Sequence, residues 1–257
     1  MQKKLSASHQ ELFLFALRNQ GITIAMSTDI LRDAASTFLH LTNYEYHIIL
    51  GRKMKQTHLT IRFLPDNFYH LAGLQKLKSA YPFQNLAHDK VFRQILSQKI
   101  TANDISKDKA FPLISDRLKV LAHLDTILDS NFSNFFRYDK NKIPFYSALS
   151  ADYIVKGTTP QSIITFATFV NNNNVFYGNS IFPLSNFDYS KGQMQYTVLL
   201  KEKLNLKTNE VTTLFHHKKY HLDEIPNAET IKAMKEVNTC TDLVGPFHAI
   251  DDLMDEL

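Results

Sequence analysis

The sequence predicts an α+β fold in which helices come first and an antiparallel sheet follows. Up to about residue 130, apolar residues mostly recur three and four positions apart, whereas beyond it they mostly alternate with polar residues. Helices and strands that are segregated along the chain are typical of α+β domains. The 257 residues, 44% of them hydrophobic, are enough to bury a substantial core.

The first half of the chain combines helices with one pair of strands. Apolar residues at helical spacing predict a helix over residues 29–41, with Ser27 or Thr28 as its N-cap. Two alternating segments, residues 44–50 and 57–64, are predicted strands joined by a basic turn. Further helices are predicted over residues 68–77, 90–97 and 114–128.

The second half alternates. Strands are predicted over residues 132–138, 152–156, 163–170, 175–177 and 196–203. Short successive strands with tight turns favour antiparallel pairing. The pattern weakens after about residue 205, where one more helix is predicted near residues 229–237. We therefore expect an N-terminal extension (1–27), one α+β domain (28–204) and a C-terminal extension with an acidic end (205–257).

Composition excludes several classes of protein. No apolar run approaches the roughly 20 residues of a membrane span, so neither a membrane partner nor a signal peptide is expected. The single cysteine, Cys240, excludes an internal disulfide framework and a cysteine-based zinc site, and it is typical of the cytoplasm. The 7 glycines supply no glycine-rich phosphate loop.

Charge is unevenly distributed along the chain. The net charge is +4, but the last seven residues hold four acids and no base, so the rest of the chain carries +8. A basic excess is compatible with a polyanionic partner. Two interpretations of the acidic end stay open: a solvated terminus, or a segment that occupies a cationic groove and competes with RNA.

Several motifs follow one another in a recognisable order. They are Tyr44-Glu45-Tyr46-His47-Ile48-Ile49-Leu50-Gly51, Ile61-Arg62-Phe63, Asn67-Phe68-Tyr69-His70-Leu71-Ala72-Gly73-Leu74, Asp116-Arg117-Leu118, Ala151-Asp152-Tyr153-Ile154-Val155 and Tyr196-Thr197-Val198-Leu199-Leu200-Lys201-Glu202-Lys203-Leu204. In that order they resemble the phage-associated nuclease families of the barnase–EndoU–colicin–RelE fold class, most closely the fourth of them, PBECR4. The resemblance covers roughly residues 28–204.

The resemblance implies a fold of helices with a sheet of about four strands. It also implies metal-independent cleavage of RNA by a protein of phage or mobile-element origin, a toxin in conflict with a host or a rival. RNA is then the expected partner, and an antitoxin or a host protein is a further candidate. No cofactor and no metal are expected.

The junction between the second strand and the next helix supplies the first candidate site residues. Cleavage without a metal needs a proton acceptor, a proton donor and a cation near one phosphate. His70 is the first choice for proton transfer, because imidazole titrates near neutral pH; the alternative is a helix-capping histidine. Arg62 is assigned to phosphate, and His58 and Thr60 on the same strand face are assigned to the substrate. A surface ion pair is the alternative for Arg62.

Later strands supply the remaining candidates. Lys201 and Lys203 share one strand face and are assigned to phosphate; alternatively, they protect a sheet edge from aggregation. Tyr153 and Thr165 can offer hydroxyls to the substrate or pack in the core.

One histidine cluster invites a metal-site interpretation. His216, His217 and His221 lie close in sequence, but Lys218 and Lys219 between them would repel a cation. We interpret this cluster as a solvated basic patch.

The sequence therefore predicts a cytoplasmic endoribonuclease that cleaves RNA through attack by its 2′-hydroxyl. The alternative is a non-catalytic protein of the same fold, an inhibitor or adaptor for a host protein or nucleic acid, since the spacing reveals no His/Glu or His/His pair. In the enzyme, His70 would occupy a concave cationic pocket; in the adaptor, it would be buried against the core.

Overall fold

The computed structural model describes residues 29–53 and 55–220, which form one eight-stranded sheet and six helices. The strands are β1 (Tyr44–Arg52), β2 (Lys55–Arg62), β3 (Asn134–Arg137), β4 (Tyr153–Thr158), β5 (Ile164–Asn172), β6 (Val175–Pro183), β7 (Met194–Asn205) and β8 (Val211–His216). The helices are α1 (Ile30–Leu41), α2 (Asn67–Leu71), α3 (His88–Leu96), α4 (Ala102–Ile105), α5 (Phe111–Leu121) and α6 (Leu124–Asp129). The chain divides into two units, residues 1–216 and 217–257, and all these elements belong to the first.

Seven of the strands close into a barrel. Their order is β1-β2-β6-β5-β4-β3-β7, and β7 pairs again with β1. Neighbouring strands are antiparallel except β2 and β6, which run parallel over Thr60–Arg62. The eighth strand, β8, pairs with β7 outside this ring.

The predicted fold class, helices followed by an antiparallel sheet of about four strands, is wrong. β1 and β2 precede most of the helices, yet they join the same sheet as the later strands. The pairing of β2 with β6 is parallel, which makes the barrel mixed. Periodicity identifies a strand but not its partner, and both pairings that close this barrel join parts of the chain far apart in sequence.

Individual elements also differ from the sequence analysis. The helix predicted over residues 114–128 is two helices, α5 and α6, interrupted near His123. Asp29 caps α1, accepting hydrogen bonds from the backbone N–H groups of Leu31 and Arg32 at 2.9 and 3.2 Å. β8 was not predicted, because much of the strand is exposed and its alternation is weak. The cap candidates Ser27 and Thr28, the helix near residues 229–237 and the acidic end lie outside the described residues.

The main core lies between the helices and one side of the sheet. Phe38 of α1 is fully buried at its centre, with the rings of Phe63, Phe68 and Phe92 at 5.8, 5.6 and 5.8 Å. Truncating such a ring to alanine costs about 3–5 kcal/mol. Because this side of β1 and β2 is committed to packing, their polar residues lie on the other side.

No helix within residues 29–53 and 55–220 is both long enough and apolar enough to cross a membrane.

Candidate active site on the barrel surface

The first two strands carry a polar face opposite the core. In β1 the side chains of Tyr46, Ile48 and Leu50 belong to the core. Glu45 and His47 alternate with them and therefore point to the other side of the sheet.

Strand register brings further polar residues onto this face. Glu45 is the Cα partner of Arg62, and His47 is the partner of Thr60 on β2 and of Glu202 on β7. His58 lies two positions from Thr60 and so shares its face, as the alternation predicts. We call this set, Glu45, His47, His58, Thr60, Arg62 and Glu202, the Glu45 face.

The carboxylate of Glu45 holds the face together. Its Oε1 lies 2.7 Å from Nε2 of His47, and its Oε2 accepts a hydrogen bond from Nε of Arg62 at 2.5 Å. The second guanidinium nitrogen of Arg62 also contacts this carboxylate. Glu45 is 5% exposed, whereas the side chains of His47 and Arg62 are 46% and 40% exposed. A buried carboxylate thus fixes an imidazole and a guanidinium that both reach solvent.

This arrangement is suited to proton transfer beside an anion. A neutral His47 that donates its Nε2–H to Glu45 keeps a lone pair on Nδ1, which can accept a proton. Arg62 uses only part of its fork of five N–H donors on Glu45, and the others can bind phosphate oxygens. The face therefore combines a proton acceptor with a cation.

A second imidazole lies near the first. His58 is exposed and sits diagonally across the ladder from His47, and diagonal side chains are roughly 7–8 Å apart. That spacing leaves room for one phosphate group between the two rings.

A comparison with models of protein families identifies the family of the chain. The family model described as phage-Barnase-EndoU-ColicinE5/D-RelE like nuclease4, PBECR4, matches residues 30–218. The chain belongs to this family. The resemblance inferred from the motifs is thereby confirmed, and membership in a nuclease family supports a nuclease function in general. No curated protein and no solved structure matches the chain significantly.

The structure of this PBECR4 protein places His70 on α2. Its ring is exposed to solvent and lies 5.0 Å from the ring of His88 and 5.9 Å from that of Tyr69. Partial burial, and then the neighbouring His88, lower the pKa of His70. His70 is therefore not buried against the core, and its role in proton transfer stays a prediction.

The two predicted lysines point away from the Glu45 face. Glu202 lies between them, so alternation turns Lys201 and Lys203 to the core side of β7. The Nζ of Lys201 donates to the carbonyl oxygens of Leu128 and Ser130 at 2.7 and 2.6 Å.

Lys203 holds the same end of α6. Its Nζ lies 2.8 Å from a carboxylate oxygen of Asp129 and 4.6 Å from the ring centre of Tyr44. The hydroxyl of Tyr46 donates to the same carboxylate at 2.6 Å. Through these hydrogen bonds, Lys201 and Lys203 of β7 hold the C-terminal end of α6 against the barrel.

The two predicted hydroxyl residues are buried. Tyr153 is 4% exposed and packs against Phe176 and Tyr196, and burial raises its pKa. Thr165 is fully buried, and its hydroxyl donates to the carbonyl oxygen of Ile163 at 3.2 Å. Neither hydroxyl belongs to the Glu45 face, and any contact with substrate stays a prediction.

The most informative pair, Glu45 and His47, was not predicted. The two residues nevertheless stand two positions apart in a predicted strand. A separation of two on a strand places both side chains on one face, which was the available signal. Only the register could add Glu202, which comes from the other end of the domain.

In the described residues, no group of three or more His, Cys, Asp and Glu side chains could hold a metal ion. His221 of the predicted basic patch lies outside those residues.

Proposed function

We propose that this PBECR4 protein is a metal-independent endoribonuclease whose reaction takes place on the Glu45 face. The observation that carries the proposal is the single buried carboxylate that orients both His47 and Arg62. Family membership supports a nuclease, and the chemistry of the three side chains supports RNA as its substrate.

In the proposed reaction, the 2′-oxygen of RNA attacks the adjacent phosphorus. The Nδ1 of His47 takes the 2′-hydroxyl proton, and Glu45 stabilises the imidazolium that forms. Arg62 donates to the non-bridging oxygens, where negative charge accumulates in the transition state. His58, in its protonated form, gives a proton to the 5′-oxygen as the P–O5′ bond breaks. The products are a 2′,3′-cyclic phosphate and a free 5′-hydroxyl.

The test is cleavage of a single-stranded oligoribonucleotide in EDTA, with analysis of the product ends. The wild type should form 2′,3′-cyclic phosphate ends and leave an oligodeoxynucleotide of the same sequence intact, because DNA lacks the nucleophile. His47→Ala should lose about 10²–10⁴-fold in rate, as expected for a proton-transfer group. His40→Ala, a change of an exposed histidine on α1, is the matched control and should keep the wild-type rate.

Two results would contradict the proposal. RNA left intact by the folded wild type would favour the non-catalytic alternative, and bound proteins or nucleic acids would then be sought. Cleavage that survives in His47→Ala but is lost in His70→Ala would move the site to α2.

The biological setting implied by the family is part of the same proposal. A toxin that acts on cytoplasmic RNA should arrest growth when it is expressed in a bacterial host, and His47→Ala should not. Growth unaffected by an active wild type would remove the toxin role. It would also remove the reason to expect an antitoxin.

A further inference from the structure

A cavity of about 640 Å³ lies between the second half of β6 and the helical layer. β2 pairs with β6 only over Val175–Tyr177, and the following part of β6 contributes Asn179, Ser180 and Phe182 to the wall of the cavity. Lys76 and Arg117 line the cavity from the helical layer. We call this space the Arg117 cavity.

Arg117 is a half-buried cation for which residues 29–53 and 55–220 supply no ion-pair partner. Its guanidinium donates to the hydroxyl of Ser180 at 2.9 Å and lies 5.8 Å from the ring centre of Phe182. Among the described residues, no carboxylate lies within 4 Å of this guanidinium. Asp116, on the same wall, pairs with Lys119 at 3.0 Å instead. Burial lowers the pKa of Arg117, but a guanidinium stays charged at neutral pH. An anionic ligand would offset the cost of desolvating it.

Three lysines extend the positive charge of Arg117. A second cavity, of about 330 Å³, shares Lys76 with the first and adds Lys78 and Lys109. In the part of the chain that the structure describes, none of these lysines forms an ion pair. Partial burial and the nearby charges of Arg117 and Lys78 lower the pKa of Lys76. The four cations repel one another, and a polyanion would relieve that repulsion.

The carboxylate of Asp108, which lies next to these lysines, accepts hydrogen bonds from the backbone. Asp108 accepts hydrogen bonds from the backbone N–H groups of Lys78, Ser79 and Ala110 at 3.0, 2.8 and 2.8 Å. Its charge therefore stabilises the backbone that carries Lys78 rather than an ammonium group.

Aromatic rings complete the wall of the Arg117 cavity. Phe182 and Tyr189 both line it, with their ring centres 5.1 Å apart. A cationic groove bordered by aromatic rings is the arrangement that binds single-stranded nucleic acid, with phosphates on the cations and bases stacked on the rings.

The Arg117 cavity lies close to the Glu45 face along β6. Tyr177 is the Cα partner of Arg62, and Ser180, the partner of Arg117, comes three residues later. At about 3.3 Å per strand residue, the Cα atoms of Tyr177 and Ser180 are at most about 10 Å apart. One extended strand of RNA can therefore reach both places.

We propose that Arg117, Lys76, Lys78 and Lys109 bind the backbone phosphates of single-stranded RNA beside the scissile nucleotide, with one base against Tyr189. This inference rests on the proposed ribonuclease function, and it assigns to that enzyme a subsite that is separate from the reacting groups.

The test measures binding without cleavage. The probe is a fluorescent 2′-O-methyl octaribonucleotide, which keeps every phosphate but has no free 2′-hydroxyl, titrated by anisotropy at several salt concentrations. Lys76→Gln combined with Lys78→Gln changes two exposed side chains and should weaken binding about tenfold. The slope of log K against log[salt] should become shallower by about 0.7 for each phosphate contact that is lost. Arg117→Lys, which keeps the charge but loses the fork, should weaken binding by a smaller factor.

Lys99→Gln removes one exposed lysine that lines neither cavity and serves as the control for the loss of a lysine charge outside the cavities. Binding by the double variant that equals wild type, or that is weakened no more than in Lys99→Gln, would overturn the subsite. Failure of the ribonuclease proposal would look different, since the wild type would then leave RNA intact while binding still depended on Lys76 and Lys78. Urea unfolding of each variant shows that a loss of affinity is not a loss of fold.

Discussion

Gly73 lies directly against the side chain of Arg117. A β-carbon at Gly73 would be 2.8 Å from Cδ of Arg117, and the backbone at Gly73 has a φ of +81°, which favours glycine. The glycine thus provides the space through which Arg117 reaches Ser180. Gly73 of the Asn67–Leu74 motif thus has a structural role, and that role concerns Arg117 rather than His70.

Gly73→Ala should therefore affect both stability and binding. The left-handed backbone alone costs a non-glycine residue about 1–2 kcal/mol, and the contact with Arg117 adds to that cost. Affinity for the 2′-O-methyl octaribonucleotide should fall together with stability. Gly192→Ala is the matched control, because its φ is +75° but nothing lies within 4 Å of its β-carbon position. A Gly73→Ala protein that unfolds like Gly192→Ala and binds like wild type would show that the contact is unimportant.

Glu45→Gln should reduce cleavage while leaving the barrel folded. Glutamine keeps the shape of Glu45 but removes the charge that binds Arg62 and that, in the proposed reaction, stabilises the imidazolium of His47. We expect a loss of about 10–100-fold in kcat/KM and, since the partners are half-exposed, about 1–2 kcal/mol in the free energy of unfolding. Single-turnover cleavage and urea unfolding measure the two effects. Unchanged cleavage by Glu45→Gln would separate Glu45 from the reaction.

Lys201 should make stability rise with pH in the alkaline range. Burial lowers the pKa of Lys201 to about 8, against 10.5 for an unperturbed lysine. Between these two values the unfolded chain binds the proton and the folded protein does not, so the free energy of unfolding increases with pH, by at most about 3 kcal/mol. Urea unfolding from pH 7 to 11 measures the free energy of unfolding of wild type and of Lys201→Met. The wild-type value minus that of Lys201→Met should therefore increase between pH 8 and 10.5. A constant difference would mean that Lys201 stays protonated in the barrel.

Asp108 should make the free energy of unfolding depend on pH in the acidic range. Backbone hydrogen bonds, first of all from Ser79, hold the pKa of Asp108 at about 2, below the usual 3.8. The stabilisation is complete above the unfolded value and is lost as the pH falls from about 4 towards 2. Asp108→Asn should therefore be less stable at neutral pH and lose less stability on acidification. Thermal unfolding between pH 2 and 7 tests this, and parallel curves for both proteins would contradict it.

The strands were largely visible in the sequence, but the barrel was not. Alternation placed His58, Thr60 and Arg62 on one face, and the register bears this out. Pairing depends on contacts between remote segments, so neither the parallel β2–β6 pair nor the closure by β1 and β7 could be inferred from periodicity.

The candidate site was predictable only in part. Arg62 and His58 follow from their strand, and Glu45 and His47 were available from the same reasoning. Alternation puts Glu202 and the two lysines beside it on opposite faces, but it does not say which face is buried when both are polar. The side chain of Lys201 is buried on the core side of β7 because two carbonyl oxygens near the end of α6 accept hydrogen bonds from its ammonium group. Such a partner is visible only in three dimensions.

The pairing of β1 with β7 also sets the order of events during synthesis. Glu202 can reach His47 only after β7 has been synthesised, when the other six strands of the ring have already been made. The two residues are 202 − 47 = 155 positions apart, so at about 5–20 residues per second roughly 8–30 s pass between their synthesis. Until then β1 lacks one neighbour, and the ring that supports the reacting groups is open. A chain terminated before β7 can therefore form neither the closed barrel nor the complete Glu45 face, so the proposed reaction requires β7 as well as β1 and β2.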